Sequence, residues 1–443
     1  MDRISQLPDD LLIKILSLVP TKDVVAMSTL SKRWKSLWTL VPRLIFGYYS
    51  DEGERENEDK DDAETTDENN CRNLSHLVYG TLLLHKAPVL ELFHLNTASE
   101  CSASEIDLWV RIAVERLVRH LKIAFRYAYR LIRLPSSLFR CETLETLELR
   151  KVILLEVPSQ FSFPSLKTLR LLFVKYADEE SFVRLISNSP VLEDLVVETC
   201  HDDNVATFAI NVPSLESFSI RHTLQELETE TDVFVVHYHS LKQFTIVDYF
   251  GELNLIGNGS PKLVEANLLS VSCHAKVLKS FNRVKRLSLC LNEEFPYPTG
   301  IILIQLVCVE LCVCESNWTN ILVSVLQHSP NLQALKLARN HLMCEDRKVC
   351  WIQPSCVPQC LLYHLKTFEW REYEGTEVEK DVAVYILKNA RRLVTATIYP
   401  DSDKLVNLVR KHQMFEELEI ATRSLRACEL TMWISLYQRF QSC

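Results

Sequence analysis

Glycine is scarce in this chain, with eight residues in 443. That leaves little room for a glycine-rich loop whose backbone amides cradle a phosphate. Neither HExxH, nor GxSxG, nor the signature set of a protein kinase is present. No apolar run reaches the roughly 18 residues that a membrane-spanning helix needs. The most apolar stretch, 301–313, is interrupted by Gln305 and Glu310. No basic segment leads into an apolar one near the start, so no secretory signal is read. The fifteen cysteines are odd in number and lack the spacing of a disulfide framework. A reduced cytoplasmic or nuclear setting is therefore expected. No basic patch stands out, so neither nucleic acid nor membrane is expected as a partner.

What is present is unevenly placed. The formal net charge is −9, and the segment 51–70 holds eleven acids against two bases, the whole of that excess. A run of this kind cannot collapse on itself and reads as a solvated, disordered linker, taken as 47–76. The remainder is balanced in charge and rich enough in apolar residues for a large core.

The segment 2–46 carries three short helical patterns in close succession. Pro8 suits a first helical turn, with Asp9 and Asp10 at the positive end of the dipole. Leu11, Leu12, Ile15, Leu16 and Val19 share one face before Pro20. Thr21 can cap a second helix and Ser31 a third, which carries Trp34, Leu37, Trp38 and Val41. Three helices this short cannot bury so much apolar surface among themselves, and two tryptophans are usual interface anchors. Leu7-Pro8-Asp9, Leu11-Leu12, Ile15-Leu16, Pro20-Thr21-Lys22 and Leu30-Ser31-Lys32-Arg33-Trp34 with Leu37-Trp38 closely resemble an F-box. The resemblance implies docking to a Skp-type adaptor and, through it, to a cullin–RING ubiquitin ligase. Leu7, Pro8, Leu11, Leu12, Ile15, Leu16, Trp34, Leu37 and Trp38 are expected to form the adaptor-binding surface or its support.

Downstream, apolar-x-x-apolar-x-apolar recurs from Leu90, Val118, Leu144, Leu166, Leu192, Leu215, Leu241, Leu263, Val284, Leu306, Leu332, Leu365, Leu393 and Phe415. Most steps are 21 to 28 residues, the period of a leucine-rich repeat. Each unit predicts one short strand with its first, fourth and sixth residues inward. Six of these starts follow a proline by two residues, at Pro88, Pro164, Pro190, Pro213, Pro261 and Pro330, which favours extended backbone. Helical patterns lie between strands at 178–189, with Phe182, Leu185 and Ile186, and at 319–328, with Leu322, Val325 and Leu326. The fold class is thus α/β: a three-helix F-box followed by an irregular leucine-rich-repeat solenoid with a curved parallel sheet. The family's Asn or Cys, eight residues after the first leucine, is met only at Cys200, Asn292, Cys314 and Asn340. An α/β domain with a parallel sheet is the alternative.

Trp351, Gln353-Pro354, Val357-Pro358, Cys360-Leu361, Leu365, Phe368-Glu369-Trp370, Tyr373, Gly375, Tyr385-Ile386-Leu387-Lys388-Asn389-Ala390 and Leu393 resemble the FBD module of a large plant family. It reads as a strand, a hairpin-like loop, a helix over 377–389 and another strand, continuing the solenoid. The domains are then 1–46 F-box, 47–76 linker, 77–345 repeats, 346–425 FBD module and 426–443 C-terminal tail. The densest set of potential metal ligands, His341, Cys344, Cys350, Cys356, Cys360 and His364, does not reproduce a CxxC knuckle. Cys308 and Cys312 fall on one face of a predicted strand and read as ordinary small strand residues. No metal, cofactor or catalytic residue is expected.

The reading is a non-catalytic substrate receptor of an SCF-type ligase that binds an unknown protein substrate on outward strand positions. In this register these are Glu148, Arg150, Thr168, Arg170, Asp194, Glu198, Arg221, Gln243, Glu265 and Arg286. The alternatives are a non-degradative solenoid scaffold and a receptor that needs a small molecule in the repeat concavity.

Overall fold

The structure is a computed structural model that describes residues 7–47, 64–97, 101–125, 132–151, 153–199, 205–222, 233–237, 239–247, 252–256, 260–271, 275–291, 302–314, 316–339, 349–400, 416, 418, 420 and 429–432. It divides into two compact units: Met1–Phe218 with Thr223–Val236, and Ser219–His222 with His237–Cys443. Among the described residues no helix is long and apolar enough to cross a membrane.

The first unit opens with α1 (Asp9–Leu16), α2 (Thr21–Met27) and α3 (Lys32–Leu37). A parallel ladder follows, built from β1 (Arg43–Gly47), β2 (Leu92–Thr97), β3 (His120–Phe125), β4 (Thr146–Arg150), β5 (Thr168–Leu172) and β6 (Asp194–Thr199) in that order. Helices α4 (Glu64–Leu84), α5 (Ala103–Glu115) and α6 (Glu180–Ser187) lie between strands in the chain. A second row of short strands, Ile132–Arg133, Ile153–Leu155 and Lys175–Tyr176, pairs in parallel behind the first. Strand β7 (Ser217–His222) precedes the second unit's ladder of β8 (Gln243–Val247), β9 (Glu265–Val271), β10 (Arg286–Leu291), β11 (Cys308–Cys312), β12 (Ala334–Ala338), β13 (Thr367–Tyr373), β14 (Thr395–Pro400) and β15 (Glu429–Met432). These eight also pair in parallel and in chain order. Its helices are α7 (Ala275–Ser280), α8 (Trp318–His328), α9 (Gln359–Tyr363) and α10 (Glu377–Asn389).

The apolar period dictates this packing. From Leu90 to Leu393, every repeat start is buried. Within β4 and β5, Leu147, Leu149, Leu169 and Leu171 are buried, while the residues between them reach solvent. Strand side chains alternate between faces, so within each unit the leucines of successive repeats stack on one another. Large aromatic rings fill the wider gaps: Phe208 stacks on Phe234 at 4.8 Å, and Trp370 meets Tyr373 edge-on at 5.1 Å. Both predicted helices form, with Phe182, Leu185 and Ile186 buried on α6 and Leu322, Val325 and Leu326 buried on α8.

Five of the six prolines that precede repeat starts also build a turn. Leu166 N–H donates to Phe163 O, Leu192 to Ser189, Leu215 to Val212, Leu263 to Ser260 and Leu332 to Ser329, at 3.1 to 3.4 Å. Each is a β-turn, and proline occupies its second position, where its fixed φ is already correct. The proline thus turns the chain into the strand.

Several boundaries shift. The ladder begins inside the expected F-box segment, because Val41-x-x-Leu44-x-Phe46 is itself a repeat pattern with all three residues buried. The expected linker is helical from Glu64, within α4; residues 48–63 lie outside the described residues. The expected repeat start Phe415 lies outside the described residues; of those that follow, 416, 418 and 420 are helical, and Leu418 is buried. The next strand is β15, inside what was expected to be the tail, paired with β14. In the FBD region the expected order of strand, helix over 377–389 and strand forms, and β13 and β14 run parallel, joined through α10. Of the four Asn or Cys repeat positions only Cys314 is described, partly exposed.

Candidate functional site

The helical segment places its apolar residues on two faces. The stripe on α1 is too wide for the small core beneath it. Leu12 and Leu16 are 0% and 1% exposed, whereas Leu11 and Ile15 are each 45% exposed and Leu18, one turn on, is 73% exposed. Residues 11, 15 and 18 follow helical spacing, so three apolar side chains form one outward stripe. Leu30, after α2, is 69% exposed. The inner cluster is Leu12, Leu16, Val24, Trp34, Leu37, Trp38 and Val41, with Leu7 packed partly against it.

The tryptophans lie on the inner of these two faces. Trp34 and Trp38 are buried in the segment's own core. Of the nine residues expected to face or support an adaptor, Pro8, Leu11 and Ile15 are exposed and Leu7 is half-buried. Leu12, Leu16, Trp34, Leu37 and Trp38 are support. Leu18 and Leu30 were missed, although Leu18 extends the Leu11–Ile15 spacing by three. Helix α3 ends at Leu37, and Trp38–Leu40 turn as a 3₁₀ segment.

Local hydrogen bonds fix the arrangement. Ser31 caps α3 by accepting from Trp34 N–H at 3.3 Å. Thr21 was expected to cap α2, but its hydroxyl instead accepts from Ile45 N–H at 2.7 Å, on the open edge of β1. Exposed strand edges invite pairing with other chains, and here the helical segment covers this one. Arg33 donates through Nε and Nη2 to Asp9 Oδ1 at 2.9 and 2.5 Å, and through Nη2 to Leu7 O, joining α3 to the start of α1.

A buried histidine ties this segment to the first repeats. Arg116 Nη1 donates to His85 Nδ1 at 2.6 Å, so His85 carries its proton on Nε2, which donates to Val41 O at 2.8 Å. Arg116 also donates to Leu82 O at 3.0 Å. Burial holds the imidazole below its ordinary pKa, opposed by the Val41 bond and assisted by the Arg116 charge.

On the outward strand positions, Arg150, Arg221, Gln243 and Arg286 are exposed, and Glu148, Thr168, Arg170, Asp194, Glu198 and Glu265 are half-buried. The register brings Glu148 beside Arg170 and Thr168 beside Asp194 in the first unit, and Gln243 beside Glu265 beside Arg286 in the second. Glu265 and Arg286 pair at 2.9 Å. His94, His120 and Lys122 stand on the same face and were missed, although their repeats start at the recognised Leu90 and Val118. Lys122 pairs with Glu148 at 3.0 Å.

Among the described residues no three His, Cys, Asp or Glu side chains are placed to hold a metal ion. His341 and Cys344 lie outside them. Cys350 and Cys356 are exposed, and Cys360 is buried, its thiol pushed up to about 12 by desolvation. His364 bonds Pro330 O. Cys308 is half-buried and Cys312 buried.

Comparison with known proteins agrees with this architecture. Residues 4–46 match the F-box domain, 106–274 match the leucine-rich repeats of FBD-associated F-box protein At5g56370, and 353–398 match FBD. The F-box/FBD/LRR-repeat protein At5g56420 of Arabidopsis thaliana is 43% identical over 434 residues, spanning 97% of this chain and 98% of that protein. The probable FBD-associated F-box protein At1g32375 of the same plant is 38% identical, spanning 97% and 99%. The F-box/FBD/LRR-repeat protein At4g26340, also from that plant, is 40% identical, spanning 94% and 96%. With an F-box on its first helices, repeats on parallel ladders and an FBD segment over β13, α10 and β14, the chain belongs to the F-box/FBD/leucine-rich-repeat family.

Proposed function

We propose that this protein is the substrate-recognition subunit of an SCF-type cullin–RING ubiquitin ligase, working in the cytoplasm or nucleus. The F-box binds a Skp-type adaptor, and the repeats hold a protein substrate. No chemistry is asked of the chain itself. Holding an acceptor lysine near charged ubiquitin raises its effective concentration, and the other subunits supply catalysis. The observation that carries this reading is the outward stripe of Leu11, Ile15 and Leu18 with Leu30, on a helical segment whose own core is already filled. Contiguous exposed apolar side chains on such a frame mark an interface.

Co-expression with a Skp-type adaptor tests it. Leu11→Ser with Ile15→Ser removes exposed side chains, so melting should change little. Losing interface anchors costs about 2 kcal/mol or more, roughly a 30-fold loss of affinity. Wild-type capture of the adaptor by a folded double variant would sink the proposal.

A further inference from the structure

The outward face of β2–β5 in the first unit is unevenly charged. Its charged side chains are Lys122, Arg150 and Arg170 against one carboxylate, Glu148. Glu148 is taken by Lys122 at 3.0 Å. Arg150 and Arg170 have no carboxylate partner among the described residues. Arg170 stands in register between Glu148 and Val196; its Nε, like the neighbouring Glu148 Oε2 that is ion-paired with Lys122, is buried without a hydrogen-bond partner. A desolvated donor left unmatched is costly, and the cost ends when an acceptor arrives. Thr146 and Thr168 lie among these residues, both half-buried, with Thr146 Oγ1 3.0 Å from His120 Nδ1, and His94 and His120 are held toward the neutral form, chiefly by burial. The patch ends at β6, where Asp194 and Glu198 supply the opposite sign.

The second unit differs. There the outward cations meet acids: Arg286 pairs with Glu265 at 2.9 Å and Arg371 with Glu369 at 2.6 Å, and Lys336 stands in register between Glu310 and Glu369. The excess is therefore a local property of the first unit.

We infer that the face of β2–β5 binds an acidic, extended segment of the substrate protein, with Arg150 and Arg170 as its carboxylate-binding residues. The inference rests on the substrate-receptor reading and narrows its substrate class. Spacing supports an extended ligand. Neighbouring strands lie about 4.8 Å apart, and alternate residues along a strand are roughly 6.7 Å apart. Arg150 and Arg170, on adjacent strands and offset by two residues, are thus about 8 Å apart at the backbone. An extended segment presents alternate side chains on one side at a similar interval, so acids two residues apart reach both guanidinium groups. Arginine's planar fork suits bidentate carboxylate recognition.

The experiment uses the full chain bound to its adaptor and a labelled twelve-residue peptide with Asp or Glu at alternate positions. The control peptide carries Asn and Gln instead. The acidic peptide should bind at least tenfold more tightly, and the advantage should shrink as salt rises through the Debye regime. Arg150→Glu with Arg170→Glu should remove that advantage, whereas Arg286→Glu in the second unit should leave it. Glu148→Gln should tighten binding a few-fold by freeing Lys122. Adaptor capture, measured on the same samples, separates this inference from the receptor reading: the variants should retain it. If the double reversal does not fold, the exposed Arg150→Gln alone should still weaken the acidic peptide. Equal binding of acidic and neutral peptides, an unchanged affinity in the folded reversal, or equally tight binding of a single-stranded oligonucleotide would each overturn the inference.

Discussion

Single residues carry unequal weight in this fold. Gly47 closes β1 at φ +109°, and a Cβ built there would lie 1.6 Å from Asn96 O. That atom is backbone in the neighbouring strand, so it cannot rotate away. Gly47→Ala should therefore break the end of the β1–β2 ladder and lower the melting temperature by several degrees, an outcome thermal denaturation reads directly. His85 adds a pH dependence. Its folded-state pKa lies below the ordinary value, chiefly because it is buried. The unfolded chain then binds more protons than the folded one, so stability rises with pH. The contribution is fully present above about pH 6.5 and is lost as pH falls below it. Protonation would also place a proton on Nδ1, which now accepts from Arg116. His85→Asn should lower the melting temperature at pH 7.5 and flatten its fall toward pH 5.5. An equally steep fall in the variant would assign the acid sensitivity to His94 and His120, which are shifted in the same direction.

Elements in this chain are held by local signals of differing clarity. Helix α10 begins with a full capping box: Glu379 N–H donates to Thr376 Oγ1 at 3.3 Å, and Glu379 Oε2 accepts from Thr376 N–H at 3.1 Å. Thr376→Ala should cost about 1 kcal/mol, seen as a lower denaturant midpoint with an unchanged slope. This helix was legible in the sequence to its end residues, because cap, acids and apolar face all agree. The repeat strands from Leu90 to Leu393 were legible for the same reason, since period-two alternation and a leading turn point to one register. What escaped was settled by contacts distant in sequence. Thr21 reads as a cap, yet bonds the β1 edge twenty-four residues away. Val41 reads as the end of a helical stripe and equally as a repeat start, and the ladder decides. Leu11 and Leu12 look alike on a wheel; only the core's limited volume puts one in and one out. The outward positions were legible as a face, but their ion pairing depends on rotamers, which a sequence does not display.

At the scale of the molecule, an array of repeats is stabilised mainly by contacts between neighbours. Damage at one end should therefore weaken the adjacent strands first and fade with distance. In the first unit the F-box is such an end: Thr21 bonds Ile45, Val41 O binds His85, and Thr39 O accepts from Lys86 N–H at 2.7 Å. Leu37 is 2% exposed in the F-box core, so Leu37→Ala should cost about 2–5 kcal/mol locally. Amide exchange in this variant should quicken across α1–α3 and at the β1 and β2 positions 45–47 and 92–97. Exchange in β13 and β14 of the second unit should stay at the wild-type rate. Uniform acceleration through β14 would mean that the chain unfolds as one cooperative body. Confined acceleration would mean that the F-box and its neighbouring strands open separately from the strands of the second unit.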